Sequence, residues 1–163
     1  MEKIDRRFFL GLTGTAIAGG LVVFGRSTSA AASVHFAVNH SPAEWKKMLG
    51  AQRYAVLREA ATERPFSSPL LKEHRRGTFA CAGCAKPLFS STTKFESGTG
   101  WPSFWKTLPG AVVTRADHSL LMERTEVLCE RCGGHLGHVF DDGPKPTGLR
   151  YCMNGLALNF RPA

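Results

Sequence analysis

The sequence has no uninterrupted apolar run of the ~20 residues that a membrane span needs, which excludes a polytopic membrane protein. It also has no run of five or more like charges. Its formal net charge of +8 is spread over the chain, with isolated doublets such as Lys46-Lys47 and Arg75-Arg76. That scatter describes a solvated surface and argues against a nucleic-acid partner, which needs basic residues gathered on one face. No internal repeat or low-complexity stretch follows the first thirty residues, and neither CxxC pair is followed by His, which excludes covalent haem attachment. What is present is ordinary globular composition: 163 residues, 43% hydrophobic and 21% charged, with 17 Gly and 9 Pro. One domain of this size can hold a core without crosslinks.

Residues 1–32 read as an address rather than as structure. A charged start ends in Arg6-Arg7-Phe8-Phe9-Leu10; an apolar stretch diluted by Gly and Thr runs from Gly11 to Gly25; Arg26-Ser27-Thr28-Ser29-Ala30-Ala31-Ala32 follows. These are the three regions of a signal peptide. The arginine pair resembles the twin-arginine export signal, which a receptor reads and which is not an anchor. The alternative, a transmembrane helix, is disfavoured by the short apolar stretch and its Gly and Thr content. Cleavage after Ala30 or Ala32 fits the small-residue rule, and no cysteine lies nearby to carry a lipid. Cleavage there would remove Lys3, Arg6, Arg7 and Arg26 with Glu2 and Asp5, so the net charge would fall from +8 to +6. Residues 33–163 are expected to form a periplasmic or otherwise exported domain, with no stable membrane insertion once the signal is gone.

Ser41-Pro42-Ala43-Glu44 carries a helix start: Ser as cap, Pro in the first turn, and Glu three residues on to complete a capping box. Trp45, Met48 and Leu49 share one face, and Gly50 closes this helix. Gln52–Ala61 repeats the pattern with Tyr54, Leu57 and Ala61. Past Pro65 the texture changes to short apolar stretches broken by Gly, Pro, Asp and Ser, the mark of antiparallel strands. Val112–Arg115 and Ser119–Met122 flank Asp117-His118 as a tight hairpin. Further strands are expected at Thr125–Leu128, Gly137–Phe140, Leu149–Cys152 and Ala157–Phe160, the last with Leu156, Leu158 and Phe160 on one face.

Of five cysteines, four form the pairs Cys81-Ala-Gly-Cys84 and Cys129-Glu-Arg-Cys132. Each CxxC places two sulfurs at one turn, and two such turns supply the four ligands of a tetrahedral, structural Zn²⁺. Two disulfides are the competing reading for an exported chain. The spacing, and insertion of metal before export of a folded chain, favour zinc.

Cys152 is left over. It follows Arg150, and His135 and His138 lie upstream; cations lower a thiol pKa and histidines transfer protons. An inert core cysteine and a structural His pair remain possible on these residues alone. A wider set of segments makes the case specific: Thr62-Glu63-Arg64-Pro65-Phe66-Ser67, the run Thr93 to Phe104 containing Gly98-Thr99-Gly100-Trp101-Pro102-Ser103, Arg124-Thr125-Glu126-Val127, His135 to Pro144, and Arg150-Tyr151-Cys152-Met153-Asn154. In this order, and with both CxxC pairs, they resemble the methionine-R-sulfoxide reductase B family over about residues 42–161. The resemblance implies a mainly β fold of two antiparallel sheets (a β-tent) with short N-terminal helices and one structural zinc per chain. It implies reduction of methionine-R-sulfoxide, protein-bound or free, for repair of oxidised protein.

Carried over position by position, the resemblance makes Cys152 the nucleophile that attacks the sulfoxide sulfur and ends as a sulfenic acid. His135, His138 and Asn154 orient the substrate oxygen and deliver protons so that it leaves as water. Trp101 and Phe140 wall the methyl group, and Arg150 supports the thiolate or the developing oxyanion. Many members have a second, resolving cysteine where this chain has Thr99. With Cys81, Cys84, Cys129 and Cys132 on the metal, an external thiol or a thioredoxin-like partner must reduce Cys152, and the protein is expected to act as a monomer. Gly155 for the usual Ser, and Met153 for a β-branched residue, are departures that could loosen the site, and neither excludes activity. Two other classes fit less well: a zinc-ribbon binding module, against which the export signal and scattered charge count, and a hydrolase with His135 and His138 as metal ligands, for which no third ligand stands in motif spacing.

Overall fold

Ser41 caps a helix, α1 (Pro42–Glu59), in a computed structural model that describes residues 35–119 and 122–163. The export-signal reading of residues 1–32 lies outside the described residues, as do Leu120 and Leu121 of the expected hairpin. The capping box forms: Ser41 Oγ accepts from the Glu44 N–H at 3.3 Å, and the Glu44 carboxylate accepts from the Ser41 N–H at 2.8 Å. Gly50 takes φ 70°, ψ 170°, and so breaks α1 into the two segments its sequence predicts. Trp45, Val56 and Leu57 are buried, but Met48 is 56% exposed although its spacing puts it with Trp45. The first segment of α1 thus meets the body through Trp45 and the half-buried Leu49, a narrower stripe than the spacing implies.

Among the described residues nine strands follow: β1 (Gly77–Cys81), β2 (Pro87–Ser90), β3 (Lys94–Phe95), β4 (Ser103–Phe104), β5 (Val112–Asp117), β6 (Arg124–Cys129), β7 (His135–Phe140), β8 (Arg150–Met153) and β9 (Leu158–Pro162). They build a three-stranded sheet in the order β2-β1-β9 and a six-stranded sheet in the order β3-β4-β8-β7-β6-β5, antiparallel throughout. The expected mainly β architecture of two antiparallel sheets with N-terminal helix is therefore observed. An aromatic seam joins the sheets. Phe104 of β4 stacks on Phe89 of β2, ring centres 4.3 Å apart, and meets Phe79 of β1 edge-on at 4.9 Å. Leu88, Val127, Leu136, Met153 and Leu158 fill the space around them with Leu57 of α1. Among the described residues no helix is long and apolar enough to cross a membrane.

Two local expectations need correction. The hairpin is not centred on Asp117-His118: β5 continues through Asp117, which pairs with Arg124, so residues 118–123 form the connection. Within it the Ser119 N–H donates to Asp117 Oδ1 and the Met122 N–H to the Ser119 carbonyl, so Ser119 and Met122 belong to a turn, not a strand. Near the C-terminus, Gly155–Ala157 form a 3₁₀ turn and the strand begins only at Leu158. The physical reason is a competing acceptor: the Glu63 carboxylate takes the N–H groups of Gly155 and Leu156, withdrawing them from a ladder.

The register between β7 and β8 sets the position of the leftover cysteine. Gly137 pairs with Met153 and His138 with Cys152, while on the other side Ser103 of β4 pairs with Cys152. A Cβ at Gly137, whose φ is 155°, would overlap the Cys152 carbonyl oxygen. Gly137→Ala is therefore expected to force β8 outward and to cost about 3 kcal/mol or more, read as a lowered denaturant midpoint. A midpoint equal to that of the parent would contradict this placement of the two strands.

Candidate active site and four-cysteine cluster

The two CxxC pairs fold into matching turns. In the first, the Cys81 N–H donates to the Lys86 carbonyl and the Ala85 N–H to the Cys81 carbonyl; in the second, the Cys129 N–H donates to the Gly134 carbonyl and the Gly133 N–H to the Cys129 carbonyl. Ala85 and Gly133 both take positive φ, 62° and 67°, to close them. The turns bring the four Sγ atoms within 4.8 Å of one another. Cys81 to Cys132 is 3.7 Å and Cys84 to Cys129 is 3.5 Å, while none of the cysteines is disulfide-bonded. A tetrahedron with zinc–sulfur bonds of ~2.3 Å has edges of ~3.8 Å, so the donor set fits such an ion. Crowding sets the thiols against one another. Hydrogen bonding to Cys129 is the main cause that pushes Cys81 and Cys132 up, and the same contact pulls Cys84 down. A divalent cation would remove that conflict by binding all four as thiolates.

Cys152 lies half-buried in a pocket of about 120 Å³ lined by Thr62, Trp101, Arg124, Gly137, His138, Phe140, Cys152 and Asn154. Five of the seven residues expected around the substrate thus share one cavity. His135 stands behind it, buried, its ring 5.5 Å from that of His138 and meeting it edge-on. Arg150 sits to the side, its guanidinium 4.4 Å above the Phe140 ring and donating two 2.8 Å hydrogen bonds to the Asp142 carboxylate. The Asp142 hydrogen bond is also the main cause that raises the Arg150 pKa, with the Cys152 sulfur contributing.

Each histidine is fixed by a carboxylate. His135 Nδ1 lies 2.6 Å from Glu126 Oε1, and Glu126 also binds Arg115. An ionised Glu126 can only accept, so Nδ1 carries the proton and Nε2 presents a lone pair; that Nε2 is buried and has no partner. Burial lowers the His135 pKa, against the opposing pull of Glu126, which keeps the ring neutral. His138 Nε2 lies 2.7 Å from Asp117 Oδ2 and Nδ1 is left as its acceptor. Asp117 is held well below the ordinary carboxylate range by the Ser119 N–H first, then the Ser119 hydroxyl and His138.

Asn154 and Trp101 are fixed by one residue. The Glu63 N–H donates to Asn154 Oδ1 at 2.9 Å, and the Glu63 carbonyl accepts from Trp101 Nε1 at 3.1 Å. Asn154 Nδ2 donates to the Leu136 carbonyl at 3.3 Å, so its oxygen is already engaged and its amide keeps one N–H. At Gly155 the place of a Cβ is filled by Ser68 Oγ. Met153 is fully buried in the core.

Glu63, Glu126, Asp117, Arg124 and Thr62 were not singled out as functional by sequence reasoning. A lone carboxylate beside Val127 and Leu128 in a buried strand was the available signal for Glu126. Asp117 was masked by its resemblance to a turn residue. Phe66 is a further case: 72% exposed, with φ 63°, it is pinned by its N–H to the Gly100 carbonyl at 2.8 Å.

Comparison with known proteins agrees with this arrangement. The SelR domain family matches residues 49–162. A peptide methionine sulfoxide reductase MsrB of Leptospira interrogans is 52% identical over 129 residues, covering 78% of this chain and 98% of the relative. The MsrB of Methanosarcina barkeri is 55% identical over 77% of this chain and 89% of its own, and that of Agrobacterium fabrum 52% over 77% and 93%. With most of the chain and nearly all of each relative in register, this protein belongs to the SelR-domain family of MsrB proteins.

Proposed function

We propose that the chain reduces methionine-R-sulfoxide, in proteins or as the free amino acid, with Cys152 as the attacking sulfur. The observation that carries this reading is the position of Cys152 in a pocket walled by Trp101 and Phe140, with His138 as its cross-strand partner. The pocket holds about four waters' worth of space, enough for a methyl sulfoxide head and too little for a bulky side chain. Trp101 and Phe140 receive the methyl group. The remaining Asn154 N–H can donate to the sulfoxide oxygen, and His135 Nε2 or His138 Nδ1, an acceptor while its ring is neutral, becomes a second donor once it takes up a proton, polarising the sulfur for attack. Net, the oxygen passes from the substrate sulfur to the Cys152 sulfur, leaving methionine and a Cys152 sulfenic acid. Arg124 and Arg150 supply positive charge on either side.

Thr99 stands where a resolving thiol would, its Oγ1 3.7 Å from Cys152 Sγ. The remaining four cysteines lie in the cluster. An external thiol or a thioredoxin-like protein therefore completes the cycle. The cluster takes one structural zinc, with no open ligand position and no part in the chemistry. The arginine pair and small-residue stretch of residues 1–32 support export to the periplasm or beyond, with residues 33–163 as the working, monomeric domain.

A stereospecific assay with a small dithiol reductant should show turnover of the R epimer and none of the S epimer; equal turnover of both would overturn the assignment. Cys152→Ser should lower that rate at least about a thousandfold while leaving the fold intact. A dimedone-type trap should mark Cys152 after one turnover without added reductant, whereas a disulfide from Cys152 to another cysteine of the same chain would refute the external-reductant reading. Metal analysis should find about one zinc per chain, and a strong chelator should lower the melting temperature. Metal-free, folded protein with two disulfides would contradict the zinc assignment.

A further inference from the structure

Two hydroxyls beside Cys152, those of Ser97 and Thr99, have no part in the reaction as derived above. With Ser103 they form a chain that ends on the sulfur. Ser103 Oγ–H donates to the Trp101 carbonyl at 3.1 Å; Ser103 and Ser97 Oγ are 2.7 Å apart; Ser97 Oγ and Thr99 Oγ1 are 2.8 Å apart; Thr99 Oγ1 is 3.7 Å from Cys152 Sγ. The far end is rigid, because Ser103 is buried and pairs with Cys152 across β4 and β8.

Proton counting leaves this chain one freedom. A hydroxyl owns a single proton and can accept two bonds. Ser103 gives its proton to the Trp101 carbonyl, so Ser97 gives its own to Ser103. Thr99 then has two exclusive targets, Ser97 Oγ and Cys152 Sγ. While Cys152 is a thiol, its S–H donates to Thr99 Oγ1 and Thr99 donates to Ser97. Once the sulfur is ionised it can only accept, and the Thr99 hydroxyl turns to it. Ser97 Oγ does not lose its donor in that state, since the Thr99 N–H is 3.4 Å away. The S–H proton leaves through the open mouth of the pocket, and each hydroxyl keeps its own.

We propose that Thr99 is a positioning residue whose hydroxyl, turning from Ser97 to the sulfur, holds the ionised sulfur of Cys152. The proposal rests on Cys152 being the attacking sulfur. The charged and titratable groups around Cys152 are His138 of β7 backed by Asp117, Arg124 of β6, and Arg150 of β8 paired with Asp142. β4 and residues 97–101 bring no charge to it. These groups set the field at the sulfur; Thr99 supplies a hydrogen bond at its surface, and a charge-assisted bond of this kind favours the ionised form.

The test follows the rate of Cys152 alkylation by iodoacetamide against pH in the full chain, read by mass spectrometry on the peptide that contains Cys152. Thr99→Val, which keeps the shape and removes the hydroxyl, should move the midpoint up by roughly half a pH unit or more. Thr99→Ser should return it to the value of the parent. Ser97→Ala leaves the Thr99 hydroxyl with the sulfur as its sole partner, so its midpoint should lie at or below that of the parent. A Thr99→Val midpoint equal to the parent's overturns the proposal, and so does an equal rise in Thr99→Val and Ser97→Ala, which would indicate packing alone. Alkylation does not need the sulfoxide, so the two readings separate. A parent chain that fails to reduce the sulfoxide but shows these shifts defeats the function reading, while an active parent without them defeats this one.

Discussion

The buried side chain and backbone of Glu63 form the interaction on which the site depends. Its carboxylate accepts the N–H groups of Gly155 and Leu156, its own N–H donates to Asn154, and its carbonyl receives the Trp101 indole. A carboxylate taken out of water is costly unless its lone pairs are satisfied. Here that requirement fixes the chain just after β8 in one conformation. Because Gly155 and Leu156 are turned toward Glu63, the ladder stops at Met153, and Asn154 is left with its amide in the pocket. Trp101, more than fifty residues earlier in the chain, is brought to the same place by the next atom of the same residue. Ser68 closes the arrangement by occupying the space beside Gly155, so the pocket wall does not depend on a side chain at that position.

A second constraint acts from the opposite side of the sulfur. Cys152 is in the middle of the larger sheet, with β4 on one flank and β7 on the other. Strand pairing delivers a hydroxyl from Ser103 and an imidazole from His138 to the same residue, and a shift of one position would turn both away. The histidines are then set by carboxylates from β5 and β6 rather than by their own strand. Asp117 and Glu126 each fix one ring nitrogen as a donor, which leaves the other as an acceptor and decides which way each imidazole can pass a proton. The Cys152 sulfur thus sits between a hydroxyl chain and two oriented imidazoles, and each of these is held by a polar partner.

How much of this was legible in the sequence follows from the range of the interactions. The capping box at Ser41–Glu44 and the break at Gly50 involve neighbours within four residues, and both form where the sequence places them. The strands β5 to β9 are found, with errors at ends decided by distant partners: Asp117 is drawn into β5 by Arg124, and Gly155–Ala157 out of β9 by Glu63. β1 to β4 were not resolved individually, because two to five residues between turns carry too little periodicity to count. The four-cysteine cluster was legible, since the chemistry of CxxC demands convergence wherever the chain goes. The supporting shell was not. Nothing local to Glu63 shows that it meets residues 154–156, and Ser97, Thr99 and Ser103 read as loop residues until the sheet places them beside Cys152.

The cluster and Glu63 also act on one seam. Cys81 is the last residue of β1 in the small sheet, and Cys129 the last of β6 in the large one, with Cys84 and Cys132 in the turns that follow. An ion held by all four therefore ties the end of one sheet to the end of the other. The same two sheets are joined a second time through the chain itself, where β8 of the large sheet leads through the turn held by Glu63 into β9 of the small one. Between these ties lies the aromatic seam of Phe79, Phe89 and Phe104, which is apolar and non-directional and cannot by itself fix one sheet against the other. Two polar ties, one through sulfur and one through a carboxylate, supply that direction. A metal held by the four cysteines would thus bear on Cys152 without touching it, by holding the sheet in which Cys152, His138 and Ser103 are kept in register.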